Sequence, residues 1–87
     1  MKHFALPSFW KCYNSLPEQI QKLADKNYAL LRADTFHPSL HFKKVGKQRQ
    51  LWSVRVGEHY RALGLDKAEG VVWFWIGTHA EYDELIK

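Results

Sequence analysis

The sequence predicts one small α+β domain: an opening strand, a helical hairpin, an antiparallel run of strands and a short closing helix. Three observations carry this. Apolar residues recur at helical spacing through Leu16, Ile20, Leu23, Ala24, Leu30 and Leu31. Beyond Ser39 the period changes to two, with Trp52, Val54 and Val56 alternating against Leu51, Ser53 and Arg55. Finally, 87 residues without a repeat, a low-complexity tract or a Gly/Ser linker leave room for one core, so the domain is expected to span residues 1–87. The sheet should be small and antiparallel, mixed where the N-terminal strand joins it, with the helical hairpin packed on one face.

Taken in order, His3 to Leu6 alternates polar and apolar and suits a short strand. Pro7 ends it, and Ser8 is placed to cap a brief helix through Tyr13. Ser15-Leu16-Pro17-Glu18 fits a capping box for the second helix, with Pro17 tolerated in the first turn. Gln19, Lys22 and Lys26 then fall on the wet side, and the helix must stop before Pro38, because a residue preceding proline avoids the helical region. Leu40 to Val45 reads as a strand broken at Gly46-Lys47. Leu51–Val56 and His59–Leu65 form a hairpin about Gly57-Glu58. Asp66 to Gly70 is a turn, and Val71 to Ile76, apolar on both faces, suits the best-buried strand. Gly77-Thr78 closes it, and Ala80 to Ile86 makes a short last helix.

At 46% hydrophobic and 25% charged residues the composition is that of a folded protein rather than a disordered one. The one cysteine, Cys12, excludes an intrachain disulfide and a cysteine-based zinc site. No apolar run approaches the roughly 20 residues that span a bilayer, and the start is too short for a secretory signal. A cytoplasmic protein with no membrane partner is expected. Net charge is +4, and it is unevenly spread. Lys43, Lys44, Lys47, Arg49, Arg55 and Arg61 face a single acid, Glu58, across the middle of the chain, whereas acids dominate after Ala62. Such a basic middle suits a phosphate-rich or acidic partner; a solvated strand edge, where lysines discourage aggregation, is the plainer account.

The hairpin decides how that charge is used. With a two-residue loop the arginines point to opposite faces; with a three-residue loop ending at His59, Arg55 lies directly across from Arg61. On one face the two would make a phosphate clamp of planar donor forks. The alternative is a surface arginine with a snorkelling stem. His79 sits between the apolar strand and the last helix, where it serves either as general acid or base or merely as a cap. Tyr60 and Tyr82 are proton donors, stacking surfaces or half-buried packing residues. The five histidines match no standard ligand spacing, so neither metal nor cofactor is expected.

His37-Pro38-Ser39-Leu40-His41-Phe42-Lys43-Lys44, Trp52-Ser53-Val54-Arg55-Val56-Gly57 with Tyr60-Arg61-Ala62-Leu63, and Trp73-Phe74-Trp75-Ile76-Gly77-Thr78-His79 with Glu81-Tyr82 together resemble the RelE/ParE superfamily of bacterial type II toxins. The resemblance runs over essentially the whole chain. It implies a small α+β toxin neutralised by a co-expressed antitoxin. RelE-like members are metal-independent endoribonucleases that cut mRNA on the ribosome; ParE-like members inhibit DNA gyrase. In the RelE-like branch the arginine after the hairpin turn corresponds to Arg61, and the basic residue after the final strand to His79. Lysines of the preceding strand correspond to Lys43 and Lys44. Leu85 stands where a catalytic tyrosine is expected, with Tyr82 nearby.

Metal-free RNA cleavage activates a 2′-hydroxyl, stabilises an anionic phosphorane and protonates the leaving oxygen, so it needs fixed cations and an acid–base pair. The residues expected to do this are Arg61, His79, Arg55 and Tyr82, with Lys43, Lys44, Lys47 and Arg49 on RNA phosphates. The partners expected are an acidic antitoxin together with ribosome and mRNA, or DNA gyrase on the alternative branch. A toxin fold reduced to a binding module is the third reading.

Overall fold

The computed structural model describes residues 1–48 and 50–87. Strand β1 (His3–Ala5) leads into helices α1 (Pro7–Asn14) and α2 (Glu18–Ala33). A 3-10 turn over Pro38–Leu40 precedes β2 (Lys43–Val45), β3 (Leu51–Val56), β4 (Tyr60–Lys67) and β5 (Gly70–Thr78), and α3 (His79–Leu85) closes the chain. The sheet order is β1-β5-β4-β3-β2. Every neighbouring pair is antiparallel except β1 with β5, which is parallel. This is the mixed α+β arrangement that the patterning predicts, and no described helix is long and apolar enough to cross a membrane.

The local signals were used differently from the expectation at both helix starts. Ser15 is the C-cap of α1, and its Oγ donates to the Lys11 carbonyl, so it is not free to cap α2. Pro17 takes that N-cap position with no side-chain bond. Ser8 does not cap α1 either. Its Oγ donates to the carbonyl of Phe74 at 2.9 Å, and Leu6 is the N-cap. The segment read as a strand from Leu40 starts only at Lys43, because the chain first turns through Pro38–Leu40 and His41 adopts a left-handed φ of 48°.

Two layers of side chains sandwich the sheet. On the helical side Leu31, Leu40, Phe42, Val54, Val56, Ala62, Val71, Trp73 and Ile76 form the main core, with Phe9, Tyr13, Leu16 and Leu23 packed on it from the hairpin. Complete burial of one such side chain stabilises by roughly 1.5–3 kcal/mol, and Leu31, Leu40, Val71 and Trp73 are all 2% exposed or less. The other side holds a smaller cluster of Val45, Leu63 and Tyr82, with Leu51, Phe74, Trp75 and Ile86 around it.

A bulge decides which residues face which way. Leu63 pairs with Trp75 but Gly64 pairs with Trp73, so Phe74 is an extra residue in β5. It reverses the alternation: Val71 and Trp73 point to the helices before it, and Ile76 does so after it. The Ser8 hydroxyl satisfies the carbonyl at this irregularity. β5 is not fully buried on both faces as its composition predicts. Val72, Phe74 and Trp75 remain half-buried, because short α3 covers only part of the second side.

Candidate functional site

The hairpin between β3 and β4 has a three-residue loop. Val56 pairs with Tyr60 across Gly57, Glu58 and His59, and Arg55 therefore lies opposite Arg61. Gly57 supplies the φ of +65° the loop requires. A side chain there would stand 2.6 Å from Leu23 Cδ2, so the loop presses closely on α2. On the next strand Gly77 faces Arg61. With no side chain of its own, Gly77 leaves room for the Trp75 ring and the Glu81 carboxylate.

Both arginines fold onto the loop's carbonyls. Arg55 Nε donates to the Gly57 carbonyl at 3.0 Å. Arg61 Nη1 lies 2.7 Å from the Tyr60 carbonyl and 3.3 Å from those of Gly57 and Glu58. Neither forms an ion pair with a carboxylate among the described residues. Burial lowers the Arg61 pKa, as does the neighbouring Arg55 charge, while Tyr82 and Asp83 act the other way. Two guanidinium groups converging on one carbonyl oxygen create a strongly positive spot that favours an incoming anion.

α3 starts at the same place. The His79 amide donates to the His59 carbonyl at 2.8 Å, pinning the helix to the hairpin loop. The capping box lies here: Thr78 Oγ1 accepts from the Glu81 amide, and Glu81 Oε1 accepts from the Thr78 amide and hydroxyl at 3.0 and 2.9 Å. Those two hydrogen bonds hold the Glu81 carboxyl below its ordinary pKa. The His79 ring meets the edge of Tyr82, and its Nδ1 lies 3.1 Å from Asp83 Oδ2. Asp83 is not among the residues the sequence singles out. The usable signal was its spacing of four from His79, which puts the two on one face of a helix.

The remaining expected site residues divide. Lys43 pairs with Ser53, two residues from Arg55 on the same face, and is exposed. It thus extends the cationic row toward the β2 edge. Lys44 points to the other face. Its ammonium lies over the Trp52 ring at 4.9 Å and bonds Asp66 Oδ2 at 2.6 Å, and Asp66 also accepts from Trp52 Nε1. Those bonds hold the Asp66 carboxyl below its ordinary pKa. Lys44 is therefore separated from the arginines and committed to an ion pair, because a strand's neighbours alternate in facing. Lys47 lies in the β2–β3 turn, at the far end of β3 from Arg55. Arg49 lies outside the described residues. Tyr82 is 5% exposed and packs with Val45 and Leu63, so its ring is a core element before it is a proton donor. Leu85 is exposed on α3. No three His, Cys, Asp or Glu side chains among the described residues gather as a metal site.

Comparison with known proteins bears on this geometry. A family model described as a ParE-like toxin domain matches residues 18–84. No curated protein matches. Among solved structures, the RelB-RelE antitoxin-toxin complex from Methanococcus jannaschii contains a chain that superposes with a TM-score of 0.74 at 14% identity, over 97% of this chain and 99% of that one. A copper-bound mutant toxin from Helicobacter pylori superposes with a TM-score of 0.63 at 17% identity, over 93% and 97% of the two chains. At such identities the likeness is one of fold.

Proposed function

The chain belongs to the ParE-like toxin domain family, the toxin half of a toxin–antitoxin system, and from that premise we propose that it is a metal-independent endoribonuclease acting on mRNA at the ribosome. The observation that carries this is the Arg55–Arg61 couple, which makes no ion pair among the described residues, on the hairpin loop that also holds the His79 amide. The arginines receive the scissile phosphate and stabilise the charge of the phosphorane. A well-placed donor of this kind is worth about 3–4 kcal/mol in the transition state. Lys43 holds a flanking phosphate. His79 moves the proton, as a base on the 2′-hydroxyl or an acid on the leaving oxygen. A site this open grips free RNA weakly, and the ribosome supplies the orientation that shallow walls do not.

The toxin acts in the cytoplasm and is neutralised by an acidic antitoxin that covers its basic and aromatic surface. The antitoxin–toxin pairing in the Methanococcus jannaschii structure supports that reading. Isolation of the toxin with the product of the adjacent reading frame is the expected result, and a solitary harmless protein is the contrary one. For activity, induction is expected to stop translation and leave discrete cuts inside translated messages. Arg61→Ala and His79→Ala should each abolish the cuts in a folded protein. A second reading, a non-enzymatic inhibitor of DNA gyrase, is favoured by the ParE-like family match and by Leu85 standing where a catalytic tyrosine is expected. Growth arrest with intact mRNA and lost supercoiling, insensitive to both substitutions, decides for it.

A further inference from the structure

His79 and Asp83 are one helical turn apart, and their ring nitrogen and carboxylate oxygen stand 3.1 Å from each other. An ionised carboxylate only accepts, so Nδ1 must be the donor in this contact. In a neutral imidazole that leaves Nε2 without a proton, and Nε2 takes no hydrogen bond from any described residue. An unconstrained histidine in water favours the opposite tautomer, with the proton on Nε2. The contact thus selects the form that can accept a proton through Nε2, because the bond made by one ring nitrogen sets the state of the other. Two further features hold the pair in place. The His79 amide is tied to the hairpin loop, and the Thr78–Glu81 capping box fixes the first turn of α3. Asp83 is also close enough to Arg61 to oppose the fall in its pKa.

We propose that Asp83 is a positioning residue, which fixes His79 as the Nδ1–H tautomer with Nε2 free to take the proton of the RNA 2′-hydroxyl. In that step the O–H bond breaks, its proton moves to Nε2, and the oxygen's electron pair attacks phosphorus to give the anionic phosphorane; its collapse breaks the P–O5′ bond, leaving a 2′,3′-cyclic phosphate and a 5′-oxygen that is protonated as it departs. The imidazolium formed keeps Nδ1–H on the Asp83 carboxylate, which offsets part of its charge. The catalytic consequence rests on the nuclease reading above; the tautomer assignment does not. Both side chains are about half exposed, at 47% and 56%, so the effect is far below that of a buried triad carboxylate.

The test has two parts on the full chain. Imidazole nitrogen chemical shifts at pH 8, with the His79 signal assigned by its loss in His79→Gln, are expected to show the Nδ1–H form. Asp83→Asn should move the ring toward Nε2–H, and Asp83→Glu should restore the original form in part. Cleavage on programmed ribosomes should then lose roughly tenfold in kcat in Asp83→Asn at little change in KM, smaller than the about 10⁴-fold loss of a buried triad, with recovery in Asp83→Glu. The same tautomer in the parent protein and in Asp83→Asn overturns the assignment. A shifted tautomer with unchanged kcat overturns the catalytic role. Parent protein that shows Nδ1–H but cuts no RNA overturns the nuclease reading and leaves the Asp83–His79 assignment standing.

Discussion

Trp73 and Trp75 lie two residues apart on one strand, and their surroundings are opposite. Trp73 is 2% exposed, its N–H donates to His3 Nδ1, and it belongs to the core beneath the helical hairpin. Trp75 is half-buried over Gly77, across from Arg61. The two faces differ in the same way. One is covered by α1 and α2 and lined with aliphatic and aromatic residues; the other has a three-residue buried cluster and a cationic row beside it. The difference teaches that cohesion and charge are kept apart by the thickness of a sheet, so each can be altered alone.

The largest expected effect is on the helical face. Trp73→Ala should destabilise by about 3–5 kcal/mol, a large part of the stability of a domain this size, read as a lower urea midpoint. On the other face Arg61→Ala should cost about 10²–10³ in cleavage rate yet shift unfolding by less than about 1 kcal/mol. If instead Arg61→Ala unfolds the protein, the separation of the two faces is lost. Gly57→Ala should break the separation from within, because the φ of +65° and the approach to Leu23 tie the arginine loop to α2. It is expected to reduce stability by about 1–3 kcal/mol and cleavage together.

Smallest is a dependence on pH at His3. Burial chiefly lowers its pKa, with the N-terminal charge and then Arg32 adding to this, and its Nδ1 already accepts from Trp73 while Nε2 is buried without a partner among the described residues. The unfolded chain therefore takes up this proton more readily than the folded one. His3 adds full stability above its ordinary value near 6.5, and that stability is lost as pH falls through the lower folded value. Urea midpoints at pH 7.5 and 5.5 should show a larger loss in the parent protein than in His3→Phe.

Most of the fold was legible because periodicity reports burial. The 3.6-residue stripe gave α2, and the period of two gave β3 and β4. What escaped was competition for single polar groups. Ser15 suits a capping box by spacing, but the end of α1 claims its hydroxyl. Thr78 and Glu81 show the same spacing and do form the box, so that α3 begins at His79 rather than Ala80. The facing of Arg55 and Arg61 depended on one loop residue, which pattern alone leaves open and pairing across the sheet decides. Lys44 could not be told from Lys43 until Asp66, 22 positions on, was seen beside it.

The extra residue at Phe74 acts as a phase slip. Up to Trp73 the odd-numbered residues of the strand face the hairpin helices; past it, the even-numbered Ile76 does. Shortening β5 by that one residue would leave its composition almost untouched. It would also restore an unbroken alternation, with Trp75 and Ile76 still on the sides they occupy and only the Ser8 bond to the Phe74 carbonyl lost. The irregularity is therefore a place where the strand can give up a residue without reversing its neighbours.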